Sequence, residues 1–333
     1  MGAAQTMEIF LEKSRRRPRA FFRLLIQFSV SFFLSLAAIS LLSLPLLLSG
    51  GSGAAASGPR LFLVSSLGSL AATLLSLFLA ARFLDRRRFR DYGFGLDRGW
   101  FLDLGFGLGL GALLMSGVFL MQLAFGWISV TGSFYSGFDG VPFVFGILPP
   151  LVVFLCVGIY EEAASRGYQL RNISEGLNYP SIGPRVSVLL AWAATSAVFG
   201  LLHLGNPNAD LVSTLNISLA GLLLGVGYVL TGELAIPIGL HITWNFFQGS
   251  VFGFPVSGLT GLGGSFLTVE QSGPETWTGG EFGPEAGLLL PVVIGLGTLA
   301  TVFWVRLRHG KVGIATHIAE APPVKPQNAH RPY

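Results

Sequence analysis

"VPFVFGILPPLVVFLCVGIYEEAASRG" occupies residues 141–167. Residues 141–160 carry no charge; then come Glu161, Glu162 and, after three more residues, Arg166. An uncharged run of about 20 residues reads as a membrane-spanning helix. A carboxylate at membrane depth costs roughly 2.5–3.5 kcal/mol on insertion scales, so an ionisable residue there is read first as functional.

The chain around this stretch has the same character. Of its 333 residues, 51% are hydrophobic and 11% charged, and the mean hydropathy is +0.65. Soluble domains carry about 25% charged residues, so the composition excludes an ordinary soluble protein. The single cysteine, Cys156, lies in an apolar run, which excludes a disulfide framework. The net charge of +4 is concentrated in runs such as "KSRRRPR" (13–19) and "RRRFR" (86–90). No aromatic-interleaved basic patch points to nucleic acid, and the basic runs read as inside loops of a membrane protein.

About eight apolar stretches can span, near 24–48, 61–84, 101–125, 142–164, 186–204, 211–231, 234–251 and 287–305. The expected fold is an all-α, polytopic helix bundle. The N-terminal segment, the loops near 85–100 and 166–185 and the tail near 306–311 are basic, whereas 49–60, 126–140, 205–210 and 252–286 hold only Arg60. This asymmetry puts both termini in the cytoplasm. The run 24–48, about 25 residues, is too long for a cleavable signal h-region and reads as the first span.

The expected organisation is a basic segment at 1–23, three spans over 24–140, four helices carrying the polar residues over 141–251, a Gly-rich exterior loop at 252–286, a last span at 287–310 and a disordered tail at 311–333. "GFGLGLGALL" (105–114) has the look of a dinucleotide fingerprint but sits in a span without a preceding strand, so it reads as close helix packing. "GLLLGVG" (221–227) reads the same way.

Few ionisable residues fall inside spans: Glu161, Glu162, Arg166, His203 and His241, with the amide Asn245 following His241. Glu162 and Arg166 are four apart with the acid first, the favourable order for a helical ion pair. Glu161 is rotated about 100° from Glu162 and is free to face a cavity. The spacing therefore separates a structural carboxylate, Glu162, from a chemical one, Glu161. Phe199 and His203 share a face, as do His241 and Asn245. A carboxylate with an imidazole can take a proton from water. An imidazole and an amide can hold a developing oxyanion. Alternatively, Glu161, His203 and His241 could hold zinc with a water in the fourth position. Either arrangement hydrolyses an amide bond.

"EEAASR" (161–166), "FGLLH" (199–203) and "HITWN" (241–245), in that order, resemble the EExxxR, FxxxH and HxxxN motifs of the CPBP family, the CAAX-protease and bacteriocin-processing intramembrane endopeptidases related to the type II CAAX prenyl endopeptidase. The resemblance covers about residues 150–250; the first three spans are similar only in character. It implies that Glu161 is the water-activating base, supported by Glu162 paired with Arg166. It implies that His203 works with Glu161 on the water or a metal, and that His241 and Asn245 stabilise the oxyanion. The implied substrate is a peptide or membrane-associated protein in the bilayer, with a prenylated one among the candidates. The implied cofactor is zinc or none. The expected location is a bacterial cytoplasmic membrane, crossed many times.

Other intramembrane proteases fit less well. There is no HExxH, no GxGD-like site in a span, and "GGSG" (50–53) lies in a low-complexity loop. The alternative of a different class is a non-proteolytic scaffold or transporter using the same buried polar residues. A transporter would show an internal repeat, and none is visible.

Overall fold

A backbone in hydrocarbon must satisfy its own N–H and C=O groups, so the apolar runs fold as helices. The structure, a computed structural model, describes residues 11–12, 17–48 and 54–323. In chain order come α1 (Ala20–Leu48), α2 (Ala54–Leu79), α3 (Arg98–Ala124), strand β1 (Ile128–Tyr135), α4 (Leu148–Glu162), α5 (Gly183–Leu202), α6 (Leu211–Thr231), α7 (Ala235–Phe246), strand β2 (Ser265–Gln271) and α8 (Leu289–His309). Widened π-helical turns extend α2 through Ala80–Asp85, α4 through Ala163–Leu170 and α7 through Phe247–Val251. The chain is an all-α, multi-pass membrane bundle.

Among the described residues, seven helices are long and apolar enough to cross a membrane. The stretch expected as another span, 234–251, is not one of them. It folds as α7 and its π turn, with residues 235–242 all buried. It packs against α3, α4 and α6. A helix wrapped by protein need not match the bilayer thickness.

Three further expectations change. The fourth helical stretch runs on to Leu177 rather than stopping near 164, because Tyr168, Leu170 and Asn172 are buried in the bundle. It begins with prolines at its first turn, where no helical hydrogen bond is lost. Segments read as loops contain β1 and β2, which pair antiparallel from Ile128–Gln271 to Tyr135–Ser265, with an irregularity between Val130 and Gly132. The tail expected to be disordered from 311 packs onto the bundle as far as it is described. Ala315 N–H donates to Val229 O at 2.8 Å, Asn178 Nδ2 donates to Ala319 O at 3.0 Å, and Ile318 is buried. Residues 1–10, 13–16, 49–53 and 324–333, which include part of the basic segment, the "GGSG" string and the end of the tail, lie outside the described residues.

Small residues set the closest helix contacts, as the glycine patterns led us to expect. A Cβ on Gly107 of α3 would lie 2.4 Å from Ile236 O, and one on Gly111 would lie 2.4 Å from Leu240 O. From the other side, a Cβ on Gly239 of α7 would lie 2.4 Å from Leu104 O. The two backbones touch, which fixes where His241 can point. In α6, a Cβ on Gly225 would meet Trp192 Nε1 of α5 at 2.3 Å.

The basic ends of the first, second and fourth helical stretches are tied by a buried charge network. Asp85 accepts from Arg23 (3.1 Å), Tyr92 Oη (2.9 Å) and Asn172 Nδ2 (3.0 Å). Glu175 accepts from Arg23 (2.7 Å), Arg87 (2.5 Å) and Arg17. Basic residues that mark topology in the sequence thus also lock α1, α2 and α4 together. Gly107→Ala should lower the unfolding temperature of the purified protein by the equivalent of about 1–3 kcal/mol. Gly109→Ala, whose Cβ meets nothing within 4 Å, should not. Equal melting of the two variants would contradict the close crossing.

Candidate active site

Glu161 and Glu162 end the regular part of α4, and the π turn begins at Ala163. Widened turns of this kind are frequent at functional sites. Glu162 is fully buried and points between helices. Its Oε1 accepts from Arg166 at 2.9 Å, the pairing expected from the spacing. The same oxygen also accepts from His241 Nδ1 at 2.8 Å, which the spacing did not reveal. Arg166 goes on to donate to Gly221 O of α6 at 2.9 Å and lies 4.6 Å over the Phe199 ring of α5. One acid and one guanidinium therefore join α4, α5, α6 and α7.

A cavity of about 590 Å³ opens in front of this pair. Glu161, Phe199, His203, His241 and Asn245 line it, as does Glu285. Glu162 and Arg166 stand behind its wall. Three helices thus bring the expected groups to one space. Glu161 Oε2 lies there buried and without a hydrogen-bond partner. A buried carboxylate oxygen left unpaired calls for an explanation, and a catalytic role is one.

His241 sits between the two acids. Its Nδ1 is held by Glu162, and its Nε2 is 3.9 Å from Glu161 Oε2, beyond hydrogen-bond range. With a carboxylate as partner, Nδ1 carries a proton and Nε2 is turned toward Glu161 and the cavity. His203 is oriented similarly: its Nδ1 is 2.7 Å from Phe199 O, which leaves Nε2 for the cavity. The Phe199 ring lies 4.8 Å from the His203 ring and 6.1 Å from the His241 ring. The aromatic position in the second motif is thus a spacer between the imidazoles and a lid on Arg166. The imidazole beside Glu161 is His241, whereas His203 makes no ion-pair contact with it within 4.0 Å among the described residues.

The same set was considered as a zinc site. Among the described residues, no three His, Cys, Asp or Glu side chains gather as a metal-binding group. Glu161, His203 and His241 share the cavity without forming such a cluster. Glu285 was missed in the sequence. It is one of four acids in the exterior segment, beside Glu270, Glu275 and Glu281, and nothing in the local pattern marks it as the buried one.

The two acids should separate in stability. Glu162→Ala leaves Arg166 buried without its carboxylate and should destabilise the protein by about 3–5 kcal/mol. Glu161→Gln removes no hydrogen bond from Oε2 and should stay within about 0.5 kcal/mol. Thermal unfolding in a mild detergent reads both.

No curated protein and no solved structure matches the chain. Over residues 143–247, which hold all three motifs, it matches the family model described as Type II CAAX prenyl endopeptidase Rce1-like, consistent with a CPBP family intramembrane protease.

Proposed function

We propose that the protein is an intramembrane endopeptidase that cleaves the C-terminal peptide of a CAAX-type, prenylated substrate with a water activated by Glu161. The observation that carries this reading is a cavity-facing carboxylate whose Oε2 makes no hydrogen bond, beside an imidazole fixed by a second carboxylate.

In the proposed reaction, water sits in the cavity beside Glu161, which takes its proton as the oxygen attacks the scissile carbonyl. His241 is held by Glu162 so that Nε2 faces the reacting atoms. Protonated between two acids, it donates to the oxyanion, and Asn245, one turn along α7, supplies a second donor. His203 Nε2 takes part in passing the proton to the leaving amine. The hydroxyl and amide groups of Ser165 and Gln169, which continue the Glu161 face of α4 into the cavity, give the substrate backbone polar partners within the bilayer.

A quenched-fluorescent peptide ending in a farnesylated Cys-aliphatic-aliphatic-X sequence tests the reading in nanodiscs. The wild type should cleave it after the modified cysteine. Glu161→Gln should lower kcat by about 10²–10⁴-fold, and Asn245→Ala by about 10²–10³-fold. Zinc measured in the same preparation, with and without a chelator, decides whether an ion joins Glu161. Full cleavage by Glu161→Gln would overturn Glu161 as the base, and no cleavage by the wild type would favour a binding role for the cavity.

A further inference from the structure

Glu285 lies outside the matched segment, on a short 3₁₀ turn (Pro284–Ala286) just before α8. It is 5% exposed and lines the cavity. Both carboxylate oxygens are used. Oε2 accepts from Ser257 N–H at 2.6 Å and from Ser257 Oγ at 2.9 Å, and Oε1 accepts from Trp244 Nε1 at 3.3 Å. Among the described residues no Lys, Arg or His forms an ion pair with it. This is a buried acid held entirely by neutral donors, an arrangement that is expensive to leave half-made.

Its partners lead to both histidines. Trp244 sits on α7 three residues after His241 and directly before Asn245. Ser257 O accepts from Asn206 Nδ2 at 2.9 Å, and Asn206 N–H closes the turn on His203 O at 3.0 Å. Next to Ser257, Gly258 has φ +80°, and a Cβ there would lie 2.0 Å from Pro207 O. The exterior segment is therefore pressed against the turn that follows His203. Trp244, Glu285, Ser257 and Asn206 form a continuous polar chain from the His241 helix to the His203 turn.

We infer that Glu285 is a positioning residue: it clamps the exterior 252–286 segment to α7 and to the α5–α6 turn, and so holds His203 and His241 at their working separation across the cavity. This inference rests on the endopeptidase reading for its kinetic consequence, but its geometric content does not. The segment expected in the sequence to be a mere exterior loop becomes part of the active-site frame. Glu285 touches no reacting atom and acts through Trp244 and Ser257.

The test uses the full chain in nanodiscs with ¹⁵N-labelled histidine and the farnesylated reporter peptide. Glu285→Gln keeps the size of the side chain but turns one acceptor into a donor facing a donor. It should move the ¹⁵N resonances of His203, assigned with His203→Asn, and leave those of His309 and His317 in place. It should lower kcat about tenfold with KM changed less than about twofold. Asn206→Ala, which cuts the same chain at its other end, should give the same pattern. The double variant should lose little more than either single one, because coupled residues are not additive. Unmoved His203 resonances, or wild-type rates in Glu285→Gln while Glu161→Gln is inactive, would overturn the clamp. No cleavage by the wild-type protein would instead overturn the endopeptidase reading, and the histidine resonances would then decide the clamp alone.

Discussion

The carboxylate of Glu162 is the contact on which the site depends. It accepts from Arg166 and from His241 on the same oxygen, and Arg166 continues to Gly221 O and the Phe199 ring. A lone buried charge would be strongly unfavourable, and a paired one is tolerated when its remaining hydrogen bonds are met. Here the ion pair meets them with groups from α5, α6 and α7. The same contacts that make the charges tolerable also orient His241 and leave Glu161, one residue earlier, on the cavity side. Structure and chemistry are thus divided between neighbouring acids by the helix turn itself.

Close backbone approach makes this geometry repeatable. α7 is short and enclosed, so neither lipid nor length fixes its depth. Its place is set instead by Gly239 against Leu104, by Gly107 and Gly111 opposite, and by the turn before it, where Glu233 accepts from Gly95 N–H at 3.0 Å. That turn lies outside the spans, and burial holds the Glu233 carboxyl above the usual carboxylate range, partly offset by the Gly95 N–H. At the other end, residues 252–286 and the β1–β2 pair cover the bundle. The cavity face of α7 is therefore framed from both ends of the bundle.

Much of this was legible in the chain. Hydropathy marked the helices, the small-residue patterns marked the close crossings, and helical spacing paired Glu162 with Arg166 and released Glu161. What was not legible depends on contacts distant in sequence. Nothing local shows that His241 Nδ1 reaches Glu162, 79 residues away. Nothing in 234–251 distinguishes a spanning helix from a shorter enclosed one, because both are apolar. The strands were overlooked because β1 and β2 are interrupted by Gly132 or flanked by Gly263 and Gly264, and meaningful only when paired. Glu285 was hidden among acids of the same loop, and only burial sets it apart.

The central claim is the unequal division of labour between Glu161 and Glu162. A pair of double-mutant cycles on thermal unfolding measures it most directly, one between Glu162→Gln and Arg166→Met and one between Glu161→Gln and Arg166→Met. The structure leads us to expect a coupling of about 1–3 kcal/mol in the first cycle and one near zero in the second. Couplings of equal size, or a larger one for Glu161, would contradict the account.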